Sequence, residues 1–422
     1  MSIIPQLERD LFEAAQQRLS PQDGDASPGG PRPPARLRHL GYVAAAVAVI
    51  AVAGLFISLR GHSAVGPASG GGLRVVFSAS SRDPSSPLGP ALERASTLLR
   101  SRLASVIPDA RVTLSGAALV VTVPHATRGT RAQVVALAAA GELVFYDWEA
   151  NALTSDGATV ASRLPSGNNQ ALVISQAGPG SAAGVPLVDA VNVASRQPPE
   201  PALDNARRQP EYYLFGAPAS TACRSARPLN VPHPAHGCLL AGPADNYQAL
   251  TGALPPGVRA AQAHVLEVPL GIAILQTVPV RFDHAQPLTS PIAQFYVLRD
   301  HAALLSNDIT HPRQTIGPSG EPVVSISFTA NGQRKFHAAT AAIARRGALL
   351  SGPGRTLDQH FAVALDDRLV SVASIDFRAY PNGLPSDQGA EIAGGFTTRS
   401  AEIIAAMLRS GPLPVNLIPE GY

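Results

Sequence analysis

LRVVFSASSRDPSSPLGPALERASTLLRSRLASVIPDARVTLSGAALVVTV, residues 73–123, decides the fold. LRVVFSA (73–79) reads as a strand. LGPALERASTLLRSRLASV (88–106) follows, with Leu88, Leu92, Ala95, Leu99 and Leu103 on one helical face. RVTLS and ALVVTV, parted by a turn at Gly116, read as a hairpin. Next, TRAQVVALAAA (130–140) predicts a helix with Val134, Leu137 and Ala138 inward, and ELVFYDW (142–148) closes the set as a strand. The order is β-α-β-β-α-β, the split pattern of ferredoxin-like folds, in an α+β protein.

Toward the N-terminus the character changes. IIPQLERDLFEAAQQRL (3–19) reads as a short helix, with Leu7 and Leu11 on one stripe. The proline- and glycine-rich run up to residue 39 cannot bury a core and reads as a linker. LGYVAAAVAVIAVAGLFISL, Leu40 to Leu59, carries no charge across twenty residues. A helix of that length crosses a hydrocarbon core of about 30 Å. A cleaved signal peptide has a shorter apolar region closer to the terminus, so a membrane anchor is expected, with a second linker at 60–72. Arg32, Arg36 and Arg38 precede the span, and Arg60 and Arg74 follow it, which gives only a slight positive-inside bias.

Downstream, residues 151–289 alternate short apolar runs with proline-rich loops and read as an irregular insertion. PVVSISFT (322–329) then alternates cleanly, with Val324, Ile326 and Phe328 on one side. NGQRKFHAATAAIARRG (331–347) predicts a helix that ends in a solvated Arg345-Arg346 pair and Gly347. HFAVALDDRLVSVASI (360–375) reads as a hairpin turning at Asp366-Asp367. A glycine turn, a helix with Ile403, Ile404, Met407 and Leu408, and a strand end the chain.

Composition narrows the function. The formal charge is +3, and Lys335 is the only lysine. No basic run interleaved with aromatics occurs, so nucleic acid is not expected as a partner. No GxSxG elbow or phosphate-loop spacing occurs, and neither an enzyme nor a cofactor is expected.

Several segments, in order, resemble the protein-export subunit SecD. DDRLVSVASI (366–375) and GGFTTRSAEIIAAMLRSGPLPVNLIP (394–419) look like its "LDxxLVSxPxI" and "IxGGFTxxxAxxLAxLLRxGALPV" runs. VLRDHAALLSNDITHP (297–312) resembles "LxGxDI", and EPVVSISFTANGQRKFHAAT (321–340) resembles "PxVxFxFTxxGxxxFxxxT". ALVVTVPHATRGTRAQVVALAAAGELVFYDWEANAL (118–153) is similar to a base-subdomain piece that ends in "FYDWE".

The resemblance implies a ferredoxin-like base, completed by the returning C-terminal helix and strand, with an inserted α+β head subdomain. The expected organisation is a cytoplasmic tail and linker (1–39), a transmembrane helix (40–59), a linker (60–72), a base (73–150) and an irregular insertion (151–289). A head with the returning helix (290–412) and a C-terminal strand and tail (413–422) follow. It also implies an accessory of Sec-dependent export in the cell membrane, single-pass, with the bulk of the chain extracytoplasmic. The implied partners are a translocating polypeptide, the Sec channel and full-length SecD or SecF. The alternative is an anchored binding module derived from SecD but outside the translocon. SecD continues past "GALPV" into membrane helices that carry its proton path. Here no second apolar span follows, so the expectation is head and base alone.

Two site readings follow. Cys223 and Cys238 are the only cysteines. With His233 and His236 they have the residue types of a zinc site, but at irregular spacing. In an exported loop the pair is expected to be a disulfide worth about 3 kcal/mol, with free thiols as a third reading. Phe328, Phe336 and Ile343 either face a peptide groove in the head or fill the core between helix and sheet.

Overall fold

Three strands from the quoted stretch and one from the far end of the chain make the first sheet, and everything between is hung from it. The computed structural model describes residues 72–83, 85–164, 184–201, 209–217, 220, 223, 237–252, 263–277, 294–352, 357–387 and 389–420. The helix expected at 3–19 and the apolar span 40–59 lie outside these residues. Among the described residues no helix is long and apolar enough to cross a membrane.

In chain order the elements begin with β1 (Leu73–Ser81), α1 (Leu88–Val106), β2 (Arg111–Ser115), β3 (Ala118–Val123) and α2 (Thr130–Leu137). β4 (Leu143–Asp147) leads into the short helices α3 (Trp148–Asn151) and α4 (Val160–Arg163). Then come α5 (Leu187–Ala194), β5 (Glu211–Gly216), β6 (Cys238–Ala244), α6 (Tyr247–Gly252), β7 (Ala263–Val268), β8 (Ile272–Thr277) and β9 (Gln294–Arg299). β10 (Leu304–Leu305), β11 (Ile309–Ile316) and β12 (Pro322–Phe328) precede the long helix α7 (Ala330–Leu350). β13 (Gln359–Leu365), β14 (Arg368–Ile375), β15 (Ala390–Ile392), α8 (Thr398–Ser410) and β16 (Val415–Pro419) follow.

The base sheet has the order β16-β1-β3-β2 and is antiparallel throughout. That is the ferredoxin-like order, but its fourth strand is β16 and not ELVFYDW. The reason lies in the side chains. In β4, Leu143 and Phe145 enter one core while Val144 and Tyr146 enter another. A strand apolar on both faces needs cover on both, which the two cores packed on either side of the head sheet supply. β4 accordingly lies between β10 and β13. β16 buries Val415 and exposes Ile418, a pattern suited to a sheet edge.

The central sheet of the head has the order β10-β4-β13-β14-β8-β9. Its β13–β14 hairpin turns at Asp366 and Asp367, whose φ angles of 49° and 59° are those of a type I′ turn. One face packs with α7, α8 and the sheet β11-β12-β15. The stretch expected to be an irregular insertion carries α5 and a three-stranded sheet, β6-β5-β7, and sends β8 into the head sheet. Its apolar runs pair over long range, so local periodicity does not reveal their partners. α7 also continues past Gly347 to Leu350.

α8 joins base and head. Ile403, Ala406 and Met407 pack in the base core, while Ala401, Ile404, Ala405 and Leu408 pack in the head core. The two apolar faces leave a narrow polar strip of Thr398, Glu402 and Arg409 toward solvent. Thr397 and Ser400 form a capping box at its start, and Gly411 follows its last turn at φ 76°. We expect Met407→Ala and Ile404→Ala each to cost about 2–5 kcal/mol, read by urea denaturation. Because the helix belongs to both cores, each variant should lower hydrogen-exchange protection in base and head alike.

Candidate functional site

A cleft of about 740 Å³ opens where the base, the head sheet and the β6-β5-β7 sheet meet. The base supplies the segment after β1, the start of α1, the α2–β4 link and the prolines flanking Leu413. Val144, Tyr146, Leu275, Ala364 and Leu413 form an apolar floor. Around it stand the carboxylates of Asp83, Glu142, Glu211, Asp245, Asp366 and Asp367, with Arg82 and Arg94 as the cationic residues.

Ala139 and Ala140 of the lining are held from behind by Arg102, which is 1% exposed. Its Nε donates to Ser410 Oγ at 2.7 Å. Nη1 donates to the carbonyls of Leu137 and Ala139 at 2.9 and 2.6 Å, and Nη2 to those of Ala140 and Gly411 at 2.9 and 2.7 Å. All five guanidinium N–H groups are thus used. Their acceptors lie at the C-terminal ends of α2 and α8, where helix carbonyls lack intrahelical donors. Burial lowers the Arg102 pKa to about 10, against the raising influence of Asp366. The guanidinium therefore stays charged at neutral pH. Gly141 allows the close approach: its φ is 77°, and a Cβ there would sit 2.7 Å from Arg102 Nη2.

From that wall the network runs forward into the cleft. Asp366 accepts from the amides of Gly141 and Glu142 at 3.0 and 2.8 Å. Burial pushes the Asp366 carboxyl up, opposed by those two amides and by Arg82. Arg82 pairs with Glu142, and its own amide donates to Pro414 O at 3.2 Å. Asp245 accepts from Ser80 Oγ at 3.2 Å, and Glu211 from the Tyr213 hydroxyl at 3.0 Å.

A second charged cluster lies away from the cleft. Arg346, expected in a solvated helix end, turns inward and forks onto Asp147, with Nη1 to Oδ2 at 2.9 Å, while its Nε donates to Gln359 Oε1 at 3.0 Å. Arg345 is exposed, as expected. Glu149 accepts from the His360 amide at 2.9 Å and contacts His360 Nδ1 at 2.6 Å. Burial raises the Asp147 carboxyl, with Arg346 acting against it. The cluster ties α7 to the start of α3. Lys335 similarly meets Asp308 at 3.2 Å. Gly332 lies so close to the Asp308 carbonyl that a Cβ would stand 2.0 Å from it.

Phe328, Phe336 and Ile343 are 5%, 4% and 0% exposed and sit inside the head core. Phe336 stacks on Phe328, with centroids 4.6 Å apart, and meets Phe361 edge-on. They fill the space between helix and sheet. Cys223 and Cys238 are disulfide-bonded, with Cα atoms 5.6 Å apart, beside Gly216 of β5. His233 and His236 lie outside the described residues. None of the cleft residues was singled out from the sequence as a site. Arg102 did leave a signal, since it falls on the apolar stripe of Ala95, Leu99, Leu103 and Val106. The others come together only through long-range packing.

The architecture defines a class: an α+β protein with a ferredoxin-like base and a head carried on the chain between its third and fourth strands. Within it, residues 283–415 match the family model described as "SecDF, P1 head subdomain". The chain carries a SecD-family domain. The protein translocase subunit SecD of Acidaminococcus fermentans is 27% identical over 125 residues, which cover 29% of this chain and 25% of that relative. The match thus spans about a quarter of the relative's length. A SecDF crystal structure in a super-membrane-facing form is similar over 83% of this chain and 30% of its own, at 18% identity and a TM-score of 0.38. A SecDF described as a membrane component that enhances protein export is similar over 83% of this chain and 99% of its own, at 17% identity and a TM-score of 0.37.

Two outcomes follow from the wall of the cleft. Arg102→Met should cost about 3–5 kcal/mol, because it strands buried acceptors, and Arg102→Lys should not restore the loss, since an ammonium offers three donors where five are used. Equilibrium denaturation checks both. A carboxyl raised in the folded state favours folding while protonated, and that contribution is lost as pH rises through its folded pKa. Stability from Asp366 should therefore fall as pH rises from the ordinary carboxylate range through its raised folded pKa. Denaturation curves of Asp366→Asn and the parent chain across that window should differ by this slope.

Proposed function

We propose that the chain is a SecD-like, membrane-anchored accessory of Sec-dependent protein export, binding translocating polypeptide on the extracytoplasmic face of the cell membrane. The observation that carries this reading is the match of residues 283–415 to the P1 head subdomain. The anchor is the charge-free run Leu40 to Leu59. The role is binding and not catalysis, with the Sec channel and full-length SecD or SecF as the neighbours implied by the family.

Because Phe328, Phe336 and Ile343 are buried in the head core, the reading looks for the polypeptide contact elsewhere. The cleft is a surface that offers both an apolar floor and polar walls. Such a mixture suits a chain whose sequence varies, because backbone and side chains of either kind find a partner.

A photoreactive residue at Ser86, an exposed position on the cleft rim, tests the reading in native membranes. Crosslinks to a stalled translocating chain and to the Sec channel are the expected products. Crosslinks to neither would leave the anchored binding module, outside the translocon, as the better account.

A further inference from the structure

At the end of the base away from the cleft, where the chain enters β1, arginines gather from three segments. Leu73 pairs with Val123, which puts the end of β3 beside the start of β1. Arg74 lies opposite Thr122, and Thr122 lies opposite Arg111 of β2, so the two arginines flank one residue in a single cross-strand row. Val75, Phe77, Val112 and Val121 point into the base core, where α1, α2 and α8 pack. Side chains alternate along a strand, so Arg74 and Arg111 stand on the other face of the sheet, and both are exposed. The link from β3 to α2 adds Arg128, also exposed. Arg131 in the first turn of α2 donates through Nη2 to Glu420 O at 3.3 Å, which ties that link to the same end of the sheet.

The charge of these side chains is not neutralised within the fold. Among the described residues no hydrogen bond or ion pair engages the guanidinium groups of Arg74, Arg111 or Arg128. The carboxylates on adjoining segments, Asp109 and Glu420, form no ion pair with them. An exposed arginine alone is ordinary, and position is what sets these apart. Residues 60–72 separate the charge-free run Leu40 to Leu59 from β1. At about 3.5 Å per residue they reach no more than about 45 Å. Arg60 carries the same sign to the other end of that link. An anchor at Leu40 to Leu59 therefore keeps this end of the base near a lipid surface, and a tethered contact gains from the high local concentration. The guanidinium group is planar and forks onto phosphate oxygens.

We propose that the anchor-side end of the base, through Arg74, Arg111 and Arg128, docks on the anionic phosphate headgroups of the membrane that holds Leu40 to Leu59. The proposal rests on the anchor reading above and adds the surface that the base turns toward the bilayer. Docking there leaves the cleft, beyond the far end of β1, directed away from the membrane.

The test uses the full chain with a thiol-reactive fluorophore at His125→Cys, an exposed position in the β3–α2 link. Cys223 and Cys238 are joined to each other, so the introduced thiol is the one that reacts. The chain is incorporated into nanodiscs of phosphatidylcholine, with or without phosphatidylglycerol, that carry a quencher on the headgroup. Stronger quenching is expected with phosphatidylglycerol. It should weaken as salt rises from about 0.1 to 1 M, which shortens the screening length from about 10 to 3 Å. An arginine near an anionic surface changes the docked-to-free ratio about fivefold, so Arg74→Gln combined with Arg111→Gln should lower it by more than about tenfold. Asp109→Asn should raise it, a gain that misfolding cannot imitate. Equal quenching in both lipids, unmoved by salt or by the variants, overturns the docking and leaves the anchor standing. A chain that enters neither lipid overturns both. Equal quenching together with a salt-sensitive crosslink from position 125 to a protein in native membranes assigns the arginines to an acidic protein partner and overturns the lipid contact.

Discussion

Burial of α8 on both faces is the constraint from which the rest of the structure follows. The helix gives Ile403, Ala406 and Met407 to the base core and Ala401, Ile404, Ala405 and Leu408 to the head core. Neither core closes without it. Opening the junction would expose one apolar face to water at roughly 25 cal/mol per Å². Base and head are therefore coupled through a single packed element. The loop that follows α8 delivers β16 to the edge of the base sheet, beside β1, which fixes where the chain leaves the head.

Arg102 makes the same junction specific in direction. An apolar side chain at that place would bury equally well but would leave the ends of α2 and α8 without donors. With all five N–H groups engaged, the guanidinium sets the distance between two helix ends and the start of β4. Gly141 must then be glycine, and Asp366 finds two amides held in place for it. The cleft takes Ala139 and Ala140 of its lining from this network. Its rim, drawn from the three-stranded sheet and the segment after β1, is set by more distant packing. Charge at the rim is thus free to differ while the wall stays fixed.

Much of the secondary structure is legible in the residues themselves. The stripe of α1, the alternation of β12 and the Asp366-Asp367 turn are local features, and each lies where periodicity places it. β4 shows where such reasoning stops. ELVFYDW announces a strand, yet its two apolar faces say only that it needs cover on both sides. Which sheet supplies that cover is decided by β13, more than two hundred residues later in the chain. The same holds for β8, whose pairing with β14 is parallel and remote, and for Arg346, whose partner Asp147 lies on another element.

The cleft is the extreme case, because its lining is drawn from seven separate stretches of the chain and none of them is unusual alone. Arg102 sits visibly on an apolar stripe, but nothing nearby in sequence shows that its five acceptors will converge. The amino-acid sequence by itself determined the local elements and the apolar residues of α8, since helix and strand periodicities are short-range properties, while its resemblance to SecD implied the order of base and head and the return of the C-terminal strand to the base. Tertiary structure alone decided the passage of ELVFYDW into the head sheet, the burial of Phe328, Phe336 and Ile343, and the meeting of six carboxylates around one cleft. Those outcomes depend on which distant surfaces exclude water together, and that is a property of the packed whole.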